Sequence, residues 1–167
     1  MFICRVFMEQ SFFRKLCGNF ATGVTIITSQ KEDGSQTGFT ANSFTSVSLD
    51  PALVLFCLSK EAQSVSFFSI GALVGISILT DQQTELSNRF ANPKITAAER
   101  FEEVALLPQT STPVLANCLA WMEGVVESKI DGGDHWIFIS RITQGAIESP
   151  SSAPILYALG TYNTLKD

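Results

Sequence analysis

The pattern of hydrophobic and polar positions predicts a chain built mostly from β-strands. Runs of about 4–8 β-branched or other apolar residues, bounded by turn residues, are typical of strands. Trp136–Ile139 is apolar at every position, which predicts burial on both faces. Asp131-Gly132-Gly133-Asp134 precedes this run and predicts a hairpin turn. The predicted strands are Val24–Ser29, a strand from about Thr37 into Thr40–Ser43, Ala52–Leu58, Leu73–Leu79, Cys118–Lys129, Trp136–Ile142, Ile155–Leu159 and Gly160–Tyr162.

Helical periodicity is confined to a few segments between these strands. Glu9–Phe20 predicts a helix, because Phe12, Phe13, Leu16 and Phe20 fall on one helical face. Glu61–Ile70 predicts a short helix that ends at Gly71. Two capping-box pairs predict two more helices. Thr80 with Gln83 predicts a helix that runs to about Phe90, and Thr96 with Glu99 predicts a short helix near Glu103.

The order of these elements predicts the fold class. Strands predominate and no regular alternation of strand and helix is present, which favours an antiparallel barrel with peripheral helices over a doubly wound parallel sheet. The length of 167 residues fits one domain spanning residues 1–167, with a core of about residues 12–165.

Composition excludes several function classes. The net charge of −5 makes nucleic-acid binding unexpected, because neutralisation of phosphates supplies most of that affinity. Only 16% of residues are charged, which suggests that a partner subunit or a large ligand covers part of the surface. No apolar run approaches the roughly 20 residues of a membrane helix, so no membrane association is expected. The four cysteines form no CxxC pair, and a cytoplasmic protein with reduced thiols is expected.

The single histidine, His135, limits the possible catalytic chemistry. Metal sites of the HExxH type and pairs of histidines are excluded, and no metal site is expected. The sequence also lacks the phosphate loop GxxxxGK[ST] and the dinucleotide fingerprint GxGxxG.

Four segments are candidates for ligand binding, and each also has an ordinary structural interpretation. Thr37–Pro51 is rich in small and hydroxylated residues that let a flat ligand approach the backbone, yet such residues are also common in loops. Cys57–Ser64 joins a strand to a predicted helix start that attracts phosphate, or it forms an ordinary cap. Arg89 in Asn88–Ala91 either pairs with a phosphate or is a solvated arginine. His135 in Gly133–His135 lies at a strand mouth, where functional residues are frequent, although a lone histidine is more often structural.

Taken together and in this order, these segments resemble the flavin reductase family, which has the FMN-binding split-barrel fold. The resemblance extends to the small reductase components of two-component flavin monooxygenases such as 4-hydroxyphenylacetate 3-monooxygenase. It covers about Phe12 to Leu165. The segments that carry it are Phe20–Thr25, Thr40–Phe44, Ser46–Pro51, Arg89–Ala91, Gly133–His135 and Pro154–Tyr157.

The resemblance implies a homodimeric, antiparallel Greek-key split barrel that holds FMN or FAD near the subunit interface. It also implies hydride transfer from NADH or NADPH to the flavin, which would supply reduced flavin to a partner oxygenase. The resemblance implies three sets of flavin-binding residues. Those along the ring and the ribityl chain are Thr40, Ala41, Asn42 and Ser43. Those at the ribityl and phosphate groups are Cys57, Leu58, Ser59, Lys60 and Ser64, and those beside the flavin are Arg89, Phe90 and Ala91. Gly133, Asp134 and His135 are implied to bind the nicotinamide nucleotide, with His135 as the catalytic residue.

Two positions depart from the family pattern, and other functions stay open. Ala52 stands where members usually have a second proline, and Ser59-Lys60 stands where Asn-Arg is frequent. The alternatives are a split-barrel module that binds flavin or haem without turnover, an oxidase of the pyridoxamine-phosphate type, and a structural dimer without a ligand. Gly133–His135 disfavours the first of these and the low arginine content disfavours the second. The third leaves the small residues Thr40–Ser43 without a special reason.

Overall fold

The computed structural model describes residues 8–165; the start of the chain, Met1–Phe7 with Cys4, lies outside the described residues. The strands, in chain order, are β1 (Thr22–Gly23), β2 (Thr25–Gln30), β3 (Gln36–Ala41), β4 (Thr45–Leu49), β5 (Ala52–Ser59), β6 (Leu73–Ile78), β7 (Ala120–Asp131), β8 (His135–Ile147), β9 (Leu156–Ala158) and β10 (Thr161–Asn163). The helices are α1 (Gln10–Cys17), α2 (Thr84–Ala91) and α3 (Ala97–Phe101), with 3₁₀ turns at Gln63–Phe67 and Asp81–Gln83.

The strand order shows that the main sheet closes on itself. Seven antiparallel strands pair in the order β3-β2-β6-β7-β8-β5-β4, so β3 and β4 form opposite edges of the sheet. Only residues 42–44 separate these two strands in the chain. At roughly 3.5 Å per residue, so short a link can join the two edges only if the sheet curls into a barrel. We call this junction, residues 40–44, the seam. Strands β1, β9 and β10 form a separate small sheet.

Aromatic side chains fill the interior of the barrel. Phe39, Phe56, Phe68 and Phe138 are buried, and neighbouring ring centroids lie 5.2–6.1 Å apart. Phe56 and Phe138 face each other across the β5–β8 ladder and are stacked. The fold is therefore the mainly β, antiparallel split barrel that the sequence predicts.

A second apolar layer holds the helices against the outside of the barrel. Ile27 packs inside the barrel and Ile26 packs outside it, so β2 is buried on both faces. Phe90 of α2 and Phe101 of α3 pack edge to face in this outer layer, with ring centroids 5.0 Å apart. The layer places both helices next to β3, immediately before the seam.

Three helical predictions need correction. Helix α1 ends at Cys17 rather than Phe20, and the side chains of Phe12 and Phe13 are more than half exposed instead of packing on the described chain. Glu61–Ile70 is not an α-helix, because only residues 63–67 form a 3₁₀ turn. Thr80 and Gln83 do form a capping box, but it begins a 3₁₀ turn that precedes α2.

Several strand predictions also differ from the structure, and the strand predicted to end at Ile142 continues to Ile147 as β8. Residues 45–49 form β4, a strand that was not predicted because most of its residues are polar. Strand β3 ends at Ala41 and does not continue through Ser43. Of Trp136–Ile139, only Phe138 is fully buried, and the others are partly exposed. Burial on both faces was wrong because the alternate residues of β8 face outward, away from the aromatic core.

Candidate functional site

Two clefts meet at the seam. The tyrosine cleft has a volume of about 360 Å³ and is lined by Val24, Thr40, Asn42, Asn88, Ala91, Tyr157, Gly160 and Tyr162. The arginine cleft has a volume of about 310 Å³ and is lined by Phe39, Thr40, Glu61, Ala62, Gln63, Ser64, Phe90, Ala91, Pro93 and Arg100. Thr40 and Ala91 line both clefts, so one extended ligand could lie across the pair.

Side-chain hydrogen bonds fix the seam to the elements around it. Thr40 Oγ1 donates to the Ser87 carbonyl of α2 at 2.6 Å. Ser43 Oγ accepts from the Cys57 backbone N–H at 2.9 Å, which ties the seam to β5. Ala41 is buried and Asn42 is exposed. The seam therefore offers polar groups from a rigid backbone, as a planar heterocycle with polar edges requires.

The end of β5 presents the second set of residues. Leu58 lies in the barrel core, so it can offer a ligand only its backbone, whereas Cys57 is half-buried and burial raises the pKa of its thiol. Ser64 is buried and lines the arginine cleft. Lys60 turns away to pair with Asp131, with Nζ and Oδ2 2.8 Å apart, and it also lies over the ring of Trp136.

In the Arg89–Ala91 segment of α2, the last two residues line the clefts and the first does not. Ala91 lines both clefts, and Phe90 lines the arginine cleft while packing against β3. A Cβ at Gly38 would lie 2.7 Å from Phe90, so glycine at this position allows the close approach. The Arg89 side chain is directed to Glu102, whose carbonyl accepts from Nη1 at 2.8 Å.

His135 starts β8 directly opposite Ser59, so the histidine segment and the end of β5 adjoin. The backbone N–H of Lys60 donates to the Asp134 carbonyl at 3.0 Å. His135 Nδ1 and Asp134 Oδ1 are 2.7 Å apart, and this hydrogen bond lowers the pKa of Asp134. Gly133 has a φ of 90°, a conformation that favours glycine in this turn. His135 lies beside the segment that leads into the arginine cleft but does not line either cleft.

The structure adds residues that the sequence did not single out. Tyr157 and Tyr162 line the tyrosine cleft with ring centroids 5.4 Å apart, and Tyr162 Oη and Ser87 Oγ share a hydrogen bond of 2.7 Å. Arg100 lines the arginine cleft. Tyr157 closes a segment that carries the family resemblance, which was an available signal, whereas nothing near Arg100 marked it.

The described residues hold neither a candidate metal cluster nor a candidate membrane-spanning helix. No cluster of three or more His, Cys, Asp or Glu side chains suitable for a metal ion occurs within residues 8–165. None of the helices in that range is long and apolar enough to cross a membrane.

Comparison with known proteins identifies the family. The sequence profile described as "Flavin reductase like domain" matches residues 17–166, nearly the whole chain. This protein belongs to the flavin reductase like domain family. It is 40% identical over 152 residues to a probable flavin reductase of Rhizobium meliloti, covering 90% of this chain and 47% of the relative. It is also 31% identical to the NADH-dependent flavin reductase StyB of Pseudomonas fluorescens, covering 93% of this chain and 90% of the relative.

The family member most informative about ligands is a solved structure. The NADH:FAD oxidoreductase SgcE6 of Streptomyces globisporus, in complex with NAD and FAD fragments, superposes with a TM-score of 0.84 at 29% identity. The match covers 95% of this chain and 93% of that one. By contrast, the chain spans about half the length of the Rhizobium meliloti relative.

Proposed function

We propose that this protein is an NAD(P)H:flavin oxidoreductase that reduces FMN or FAD and supplies reduced flavin to a partner monooxygenase. The observation that carries the proposal is the pair of clefts that meet at Thr40, on the rigid seam of a flavin reductase family barrel. Relatives described as reductase components of flavin-dependent monooxygenases support the partner, among them one for trigonelline in Acinetobacter baylyi at 36% identity.

The residues of the seam fit a bound flavin. Thr40 and Asn42 of the seam line the tyrosine cleft, and the side chains of Tyr157 and Tyr162 lie beside them. The arginine cleft adds a buried cation, Arg100. These features suit a long ligand with a flat aromatic part and an anionic part. FMN and FAD both have this composition.

In the proposed mechanism the protein positions two nucleotides. Bound NAD(P)H and flavin would together supply the hydride-transfer chemistry, so the roles left to this chain's residues are binding and orientation. The seam holds the flavin from one side. Gly133–His135 adjoins the end of β5 and orients the nicotinamide toward the flavin. Positioning of this kind can lower the barrier substantially, since misplacement by about 1 Å costs about a hundredfold in rate.

We further propose that two copies of the chain form a homodimer. The outward face of β5, β7 and β8 carries an apolar patch of partly exposed side chains. The strand register places the side chains of this patch in two adjacent rows. One row contains Leu55 and Ile139, and the other contains Cys57, Ile137 and Ile130. We call them the outer patch. Covering this surface with a second copy would remove apolar area from water, which is the usual driving force for stable dimers.

The decisive experiment combines an absorbance spectrum with an NADH oxidation assay using FMN, FAD and riboflavin. We expect NADH oxidation that depends on added flavin, or a flavin spectrum that NADH bleaches. Flavin binding without NADH or NADPH oxidation would instead support a non-catalytic binding module. Absence of both binding and oxidation would refute the assignment to flavin chemistry.

A further inference from the structure

The most buried arginine among the described residues has no counter-ion. Arg100 is 9% exposed, and no described carboxylate forms an ion pair with it. Its Nη1 donates to the Gly38 carbonyl and its Nη2 donates to the Asn92 carbonyl, each at 2.9 Å. Its Nε is fully buried without a hydrogen-bond partner in the described chain. Buried charges are normally paired, so an unpaired guanidinium beside a cleft requires a reason.

The cations expected to receive an anion are engaged elsewhere. Lys60 pairs with Asp131, and Arg89 reaches the Glu102 carbonyl. Neither lines either cleft. The predicted helix start after Glu61 is reduced to a five-residue 3₁₀ turn, which has little dipole to offer an anion. The local positive charge at the cleft therefore comes from Arg100.

The arginine cleft has the remaining groups that an anion needs. Ser64 is buried in its wall and supplies a hydroxyl. Glu61 also lines the cleft, but it is exposed, so water screens its charge more than that of buried Arg100. Burial lowers the pKa of Arg100, since desolvation disfavours its charged form, and an anion nearby would offset that cost.

Resting on the proposed flavin reductase function, we propose that Arg100 recognises the flavin phosphate. Its charge holds the phosphate of FMN, or the corresponding phosphate of FAD, in the arginine cleft. The isoalloxazine then lies past Thr40 toward the tyrosine cleft. Arg100 thereby decides whether the site distinguishes FMN from riboflavin, which lacks the phosphate.

The test measures FMN and riboflavin affinity for the wild type and for Arg100→Gln. Loss of a charged hydrogen-bond partner should weaken FMN about ten- to a hundredfold, while riboflavin affinity stays near that of the wild type. Arg141→Gln is the matched control, because Arg141 pairs with Glu127 on the outside of the barrel, and both affinities should be unchanged. Arg89→Ala and Lys60→Ala should weaken FMN less than Arg100→Gln does.

Several results would overturn the inference. If Arg100→Gln weakens FMN and riboflavin binding equally, Arg100 serves only to hold the carbonyls of residues 38 and 92. Unchanged FMN affinity, or a larger effect at Arg89 or Lys60, would place the phosphate elsewhere. If Arg100→Gln does not fold, Arg100→Met takes its place, since it keeps an unbranched apolar stem and removes the charge, and it should lower FMN affinity selectively.

The wild type separates this inference from the proposed function. If it binds FMN no more tightly than riboflavin but still oxidises NADH, the phosphate assignment fails and the flavin reductase assignment stands. If it binds none of FMN, FAD and riboflavin, the proposed function itself fails.

Discussion

His135 and Asp134 form an exposed pair at the mouth of β8. The side chains are 45% and 92% exposed, and exposed ion pairs contribute little to stability. The hydrogen bond to Asp134 can still select the orientation of the imidazole ring. Orientation of a neighbouring nucleotide, rather than support of the fold, is the role that this exposure favours.

Replacing the histidine tests that role. We expect His135→Ala to leave flavin affinity and melting temperature near those of the wild type. It should raise the KM for NAD(P)H, slow hydride transfer, or both, by about ten- to a hundredfold, because the nicotinamide loses its orientation. Stopped-flow reduction of bound flavin beside a melting curve measures both effects. A lower melting temperature with unchanged kinetics would show that His135 only supports the turn.

The buried thiol of Cys118 makes the free energy of unfolding depend on pH. Burial raises the pKa of its thiol to about 11, whereas the pKa of an unfolded cysteine is about 8.5. Between these values the unfolded chain releases a proton that the folded chain keeps, so stability falls as pH rises through this window. We expect the free energy of unfolding to fall less steeply in Cys118→Ala than in the wild type between about pH 9 and 11. Cys17→Ala, which alters an exposed thiol, should retain the wild-type slope.

At the scale of elements, one buried carboxylate holds the connection between α3 and β7. Glu123 of β7 is 4% exposed, and its Oε1 accepts from the Thr112 N–H at 2.6 Å and from Thr112 Oγ1 at 2.5 Å. Its Oε2 accepts from Gln144 on β8. The carboxylate has acceptors only, which suits three donors converging on it.

Glu123→Gln introduces donors where only acceptors fit. We expect it to lower the free energy of unfolding by about 1–3 kcal/mol, because a buried donor is left unsatisfied. It should also speed proteolysis within residues 102–119. Denaturant unfolding and limited proteolysis check both. Glu127→Gln, which breaks the exposed pair with Arg141, should cost less than about 1 kcal/mol, and equal losses would deny Glu123 this role.

The elements that sequence predicted well are those whose pattern reflects their own burial. The strands Leu73–Leu79 and Ala52–Leu58 match β6 and β5 within one residue at each end, since apolar runs record burial in the barrel. β4 escaped prediction because its polar residues lie on an exposed edge strand. The apolar face of Glu9–Phe20 did predict α1, but periodicity reveals an apolar face without revealing what covers it.

At the scale of the whole molecule, barrel closure creates the site. The short link between β3 and β4 fixes Thr40–Ser43, and the packing of α2 on β3 brings Ala91 beside Thr40. The family resemblance predicted these residues, and they line or adjoin the clefts. Arg100 could not be predicted, because its importance arises from a missing counter-ion, and only the three-dimensional arrangement shows which charges are paired.

The outer patch makes the oligomeric state testable. We expect sedimentation at micromolar concentration to show a dimer, because association would bury the partly exposed apolar side chains of the outer patch. Ile130→Asp, which places a charge in the patch, should shift the equilibrium toward monomer. Ile147→Asp is the matched control at the far end of β8, where the side chain is 75% exposed. A wild-type monomer under these conditions would contradict the proposed dimer.

The adjoining ends of β5 and β8 have a consequence for engineering. Ser59 and His135 are paired rungs of one ladder, and the Asp131–Asp134 turn projects beyond them. The turn also holds Lys60, because the Asp131 side chain pairs with its ammonium group and the Asp134 carbonyl accepts from its backbone N–H. Replacing the turn would therefore move the end of β5 together with the start of β8, so an engineered turn has to preserve both contacts.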